Sequence, residues 1–119
     1  MVTVADHQHL LAECDQWREQ LRQAKEEVNT LRSELYLAAA GKTNQEYLKE
    51  VEHYHNQFHI QLINIHDIKH AIKHHMAEAE HHPNFGHRIP HHNLELQIKN
   101  EIEGIEQLKT DFHKFISEG

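Results

Sequence analysis

The sequence predicts an all-α protein in which three long helices form an elongated antiparallel helical bundle or coiled coil, expected to be homodimeric. Only 4 glycines and 2 prolines occur in 119 residues, which disfavours a turn-rich β-sandwich or barrel. Apolar residues recur at alternating spacings of three and four, as they do on one face of an α-helix. We therefore expect a single helical domain over residues 1–119, with helices at about 4–40, 43–82 and 91–117 and a histidine-rich joint at 83–90.

The first predicted helix carries a heptad pattern typical of coiled coils. Its flanks are sorted by charge, with Glu13 and Glu27 on one side and Arg18 and Arg32 on the other. In a parallel homodimer these flanks would attract each other, with Glu13 facing the Arg18 position of a second copy. The alternative is that helix 1 packs on helix 2 of its own chain. We expect a homo-oligomer through the helix 1 seam, which comprises Leu10, Cys14, Trp17, Leu21, Ala24, Val28, Leu31, Leu35 and Ala38.

The second predicted helix begins after a capping-box pattern, Thr43 to Glu46. Farther along, it places histidines in one sector of its surface. At about 100° per residue, the stripe beside its apolar face contains His55, His59, His66, His70 and His74. Histidines four residues apart project from one helical face, where two imidazoles can bind the same transition-metal ion. The alternative is that these imidazoles are semi-polar packing residues or face water.

The third predicted helix supplies core residues, and its register could complete a ligand set. Folded back antiparallel on helix 2, it would place His113 opposite position 60, close to His55 and His59. Helix 1 packed antiparallel on helix 2 would place Cys14 near Lys69. The histidine-rich joint is interpreted as a solvated turn, with a metal-capturing or partner-binding tip as the alternative. The predicted metal ligands are therefore His55, His59, His66, His70, His74 and His113.

The composition excludes several classes of function. With 15 neutral histidines the formal charge is −7, and protonating all of them would turn it into +8, so association should respond to pH. The acidic balance disfavours nucleic acid as a partner, and no apolar run is long enough to span a membrane. The N-terminus shows no secretory signal, and the lone Cys14 cannot form an internal disulfide, so we expect a cytoplasmic location.

Three functional hypotheses follow. The first is a non-catalytic coiled-coil homo-oligomer whose helix 2 stripe binds zinc, nickel or copper. The second is a metal-free scaffold or protein-interaction module. The third is a di-iron oxygen-binding or redox bundle that uses Glu52, Glu78 and Glu106. No nucleophile–base arrangement stands out, and Cys14 on an apolar seam is expected to be inert, so the sequence favours a protein without catalytic residues.

Overall fold

Two glycines mark where the helices of this protein end and turn. A computed structural model describes residues 4–82 and 86–118, with side chains described from residue 7. It contains three α-helices: α1 is Val4–Ala39, α2 is Gln45–His81 and α3 is Arg88–Glu118. Gly41 and Gly86 have φ of 75° and 30°, a region that side chains with a Cβ disfavour. Positions 83–85 of the predicted joint lie outside the described residues.

The all-α class with three long helices is confirmed. The helices pack against one another in an elongated body with extents of 62 × 18 × 18 Å. Helix α3 begins at Arg88, three residues earlier than predicted. Within residues 4–82 and 86–118, no helix is long and apolar enough to cross a membrane.

The start of α2 differs from the predicted capping box. Asn44 is the N-cap: its backbone is extended, and its side-chain oxygen accepts a hydrogen bond from the backbone N–H of Tyr47 at 3.1 Å. Thr43 therefore lies one residue before the cap, and α2 begins at Gln45. The physical reason is that asparagine caps helices at least as well as threonine, so two adjacent capping residues compete for one helix end.

The apolar seam of α1 is buried within a single chain. Cys14, Leu21, Val28 and Leu35 are all 0% exposed. They share one hydrophobic cluster with residues of both other helices, among them Phe58, Ile65, Ile72, Ile98, Ile105 and Phe112. This is the intrachain packing that the sequence left open as the alternative. Homo-oligomerisation through the same seam stays a prediction, and it would require α1 to leave its own α2 and α3.

The acidic flank of α1 pairs with α3 of the same chain. Glu27 contacts the Lys109 ammonium at 2.8 Å, and Glu34 contacts His113 Nε2 at 2.8 Å. Both pairs are partly exposed, so solvent screening keeps their contribution to stability small. Their order along the two helices shows that α1 and α3 run parallel. Two glutamates of the acidic flank thus find partners inside one chain.

Aromatic packing determines how α3 sits on α2. Phe112 meets Phe58 edge-on at a ring-centroid distance of 5.1 Å, and it lies 5.4 Å from Tyr54. His113 follows Phe112 by about 100° around the helix, so it faces α1. The expected approach of His113 to the α2 histidines is therefore replaced by its contact with Glu34.

Candidate metal centre

Three ligand-type side chains meet at the end of the molecule where α2 leads into α3. Each helix supplies one: Cys14 from α1, His75 from α2 and His91 from α3. One ligand atom of each lies within 4.8 Å of those of the other two, and no other group of three or more His, Cys, Asp or Glu side chains in the described part of the chain is so arranged. Thiolate and imidazole are the ligands that zinc and copper prefer. We call these three residues the Cys–His–His cluster.

The cluster is nearly closed to solvent. Cys14 is 0% exposed and His75 is 5% exposed. The ring of Trp17 covers His91 at a centroid distance of 4.5 Å. Together with the buried apolar residues of the core, these contacts exclude water from the sulfur and leave little of the His75 imidazole accessible. A bound ion would therefore have protein on most sides.

Burial changes the protonation of two members of the cluster. Desolvation, with smaller contributions from Asp15 and Glu13, raises the pKa of Cys14 to about 11. Desolvation also lowers the pKa of His75 to about 4, helped by the neighbouring imidazoles. In the metal-free protein at neutral pH, the thiol is thus protonated and the His75 ring is neutral. A divalent cation reverses the preference of the thiol, since its charge favours the thiolate and binding releases the proton.

Hydrogen bonds orient the His91 ring for coordination. His91 Nε2 faces the Glu13 carboxylate at 3.3 Å, and His91 Nδ1 faces His75 Nε2 at 3.0 Å. A carboxylate only accepts, so Nε2 of His91 donates to Glu13, and in the neutral ring Nδ1 carries the lone pair. A carboxylate that holds the far nitrogen of a histidine in this way is the usual outer partner of a metal-binding imidazole. His9 Nε2 also contacts Glu13, at 3.0 Å.

The predicted ligands on α2 lie mostly on its outer surface. His59, His66, His70 and His74 are exposed, and His55 is partly buried 6.1 Å from the Tyr36 ring. His66 and His70 form the expected pair four residues apart, with ring centroids 4.6 Å from each other. Helix α2 thus carries the predicted stripe, while metal binding by the stripe stays a prediction.

The surroundings of His66 and His70 are unfavourable for a cation. Both line an open groove of about 520 Å³ between α1 and α2. Its other lining residues include four cations, which are Arg18, Arg22, Lys69 and Lys73. Asp15 and Glu19 offset only part of this charge, and Glu19 is already paired with Arg22 at 2.6 Å. Coulomb repulsion therefore opposes a divalent ion at this part of the stripe.

The register of α1 on α2 differs from the register expected from the sequence, and this difference changes the neighbour of Cys14. The sequence placed Cys14 near Lys69, whereas it meets His75, about 9 Å farther along α2 at 1.5 Å per residue. The buried face of α2 contains Ile65, Ile68, Ile72, His75 and Ala79. His75 therefore occupies a position at which the spacing calls for an apolar side chain.

A sequence signal for the cluster did exist. Cys14 lies on the α1 seam, His75 continues the buried spacing of α2, and His91 precedes the buried Leu94 and Ile98 of α3. Cys14 and His75 are thus metal-binding residue types at core positions, and His91 lies one helical turn before the core positions of α3. Sequence reasoning missed the cluster because it gave weight to the number of histidines on one helix.

The fold and the site define an elongated protein of three helices with a buried Cys–His–His cluster at one end. No known protein family matches the chain, and neither a curated protein nor a solved structure matches it.

The lowered pKa of His75 makes the metal-free protein sensitive to acid. The unfolded chain takes up a proton at His75 near pH 6.5, whereas the folded chain resists it until about pH 4. The stability that comes from neutral His75 is full above pH 6.5 and is lost as pH falls toward 4. The loss amounts to roughly 3 kcal/mol. Urea unfolding of the chelator-treated protein between pH 7 and pH 4.5 measures it.

The matched comparison for this prediction uses two neighbouring histidines. A His75→Leu variant should lose less stability over this pH range than the wild type, because its core no longer contains the titrating ring. A His74→Leu variant, altered at an exposed position, should keep most of the wild-type slope, because His74 is the smallest of the causes that lower the pKa of His75. Equal slopes in all three proteins would contradict the assignment of the pH dependence to His75.

Proposed function

We propose that this protein binds one divalent transition-metal ion through Cys14, His75 and His91 and has no catalytic role. The observation that carries the proposal is the convergence of one ligand from each of the three helices in a nearly closed site. Three protein ligands leave the fourth position of a tetrahedral ion for water or another donor. Zinc fits a thiolate and two imidazoles, and copper and nickel are the alternatives that imidazole ligands allow.

The ion would act as a link between helices. The three ligands lie far apart in the sequence, so the unfolded chain does not hold them together. Binding to the folded form alone therefore adds its free energy to folding. The outer hydrogen bond from His91 to Glu13 supports this role, because it holds one ligand in its binding orientation before the ion arrives.

We also propose that the protein is located in the cytoplasm and that it self-associates. A cytoplasmic, reducing environment would keep Cys14 as a free thiol able to coordinate metal. Self-association is proposed as a separate property, since the metal ligands come from a single chain. Apolar side chains exposed outside the core offer a surface for it other than the α1 seam, among them Ile60, Ile63 and Leu96.

Metal titration of protein purified without a nickel column tests the proposal. Cobalt serves as the probe, because a cobalt–thiolate bond adds ultraviolet charge-transfer absorption, and zinc affinity follows from competition with a chelator. We expect one ion per chain. Cys14→Ser should abolish the thiolate absorption, and His91→Gln should weaken zinc binding by about 100-fold or more.

An exposed neighbour provides the control for these variants. His92 is the next residue on α3 and is exposed, so His92→Gln should bind zinc within about twofold of the wild type. Substoichiometric metal after loading would refute the proposal. So would an affinity that is the same in the His91 and His92 variants.

A further inference from the structure

A cavity of about 370 Å³ borders the buried cluster on one side. It lies between the end of α2 and the start of α3, and its lining includes His74, His75, Glu78 and His87. His75 is thus both a wall of this cavity and a member of the Cys–His–His cluster. On another side of the cluster, the Trp17 ring lies against His91. The cavity therefore connects the outside of the protein to one of the ligands.

The side chains that line this cavity favour the passage of a metal cation. Among the described residues, its lining has three imidazoles and one carboxylate, and neither lysine nor arginine. The groove around His66 and His70 is lined by four such cations, so the two openings differ in the charge that they present. A divalent ion is attracted by Glu78 in the first and repelled in the second.

The imidazole of His87 lies beside that of His75, which in turn lies beside that of His91 in the cluster. Its ring lies 6.1 Å from the His75 ring, and the His91 ring lies 5.2 Å from His75 on the inner side. His87 Nε2 contacts the carbonyl oxygen of His82 at 2.5 Å. A carbonyl only accepts, so Nε2 donates to it, and in the neutral ring Nδ1 of His87 carries a lone pair.

We propose that this cavity is the route by which the metal ion reaches and leaves the Cys–His–His cluster, with Glu78 attracting the ion at its mouth. The inference rests on the proposed metal-binding function. Glu78 and His74 are exposed and stand one helical turn apart, while His75 is buried. An ion held between the first two passes the His75 ring before it meets Cys14. Glu78 acts on the passage of the ion and is not a ligand in the final site.

Stopped-flow mixing of the metal-free protein with cobalt tests this route. The charge-transfer absorption of the thiolate reports loading, and mixing the loaded protein with excess chelator reports release. Glu78→Gln should slow loading by about fivefold, and Glu78→Lys should slow it further. A residue that changes only the energy barrier along the path changes the rate of loading and the rate of release by the same factor. Release should therefore slow by the same factor, and the affinity should stay within about twofold.

The control variants alter a glutamate on the same helix that is exposed but does not line the cavity. Glu80→Gln and Glu80→Lys should load and release cobalt at the wild-type rates. Wild-type rates in the Glu78 variants would overturn the route. Slower loading with faster release would also overturn it, because Glu78 would then stabilise the bound ion itself. If the wild type gains no thiolate absorption with cobalt, the proposed function fails instead, and the route fails with it.

Discussion

Replacing Leu21 with aspartate is expected to unfold the protein, with loss of most of its helical signal at room temperature. Leu21 is 0% exposed in the core that α1 shares with α2 and α3. Aspartate at this site would have to bury a charge without a partner or unfold the helices around it. Either outcome costs roughly 5 kcal/mol or more, which equals the whole stability of a domain at the lower end of the usual range of about 5–15 kcal/mol. Far-ultraviolet circular dichroism and sedimentation velocity measure helicity and assembly together.

The control is a leucine on the same helix with the opposite exposure. Leu37 is 79% exposed, so Leu37→Asp should keep the helical signal and change stability by no more than about 0.5 kcal/mol. A Leu21→Asp protein that stays folded but changes from dimer to monomer would contradict the intrachain packing of the seam. That result would favour the homo-oligomer expected from the heptad pattern.

Saturation with zinc is expected to raise the unfolding temperature by about 15 °C. At a free zinc concentration of about 1,000 times the dissociation constant, binding to the folded state alone adds roughly 4 kcal/mol. For a domain of this size, each kcal/mol corresponds to about 4 °C. The ligands come from all three helices, so the ion opposes separation of any helix at this end. Differential scanning calorimetry with buffered free zinc gives the shift.

Two comparisons show whether the shift comes from the cluster. His91→Gln should lose about two thirds of it or more, whereas His92→Gln should retain it, and a chelator should return the wild type to its metal-free unfolding temperature. Zinc that fails to stabilise the wild type would contradict the role of the ion as a link between helices. An equal shift in both variants would locate the stabilising ion elsewhere, with the exposed α2 stripe as the next candidate.

Local sequence was enough to predict the helices but not every one of their ends. The scarcity of glycine and proline and the spacing of apolar residues predicted three long helices, because helix formation depends on interactions within a few residues. The start of α2 was displaced because Thr43 and Asn44 are both competent caps, and only the backbone geometry selects Asn44. The same local reasoning found the exposed histidine stripe, since positions around one helix follow from its pitch.

The charge pattern of α1 is compatible with a partner helix from either the same chain or a second copy. The sorting of glutamates and arginines suggested a parallel partner helix, and a parallel helix is indeed present. This helix is α3 of the same chain: its Lys109 contacts Glu27, and its His113 contacts Glu34. A heptad pattern specifies that a helix needs apolar neighbours, but it does not specify whether those neighbours belong to the same chain.

The sequence by itself determined that this protein is helical, where its helices run and which face of α1 is apolar, because these depend on residues close together along the chain. The tertiary structure alone decided the register. Packing of Phe112 on Phe58 and Tyr54 turns His113 toward α1, while the buried spacing of α2 turns His75 inward to Cys14 and His91. Register depends on side-chain packing between residues far apart in sequence, and it is register that brings the three ligands of the candidate site together.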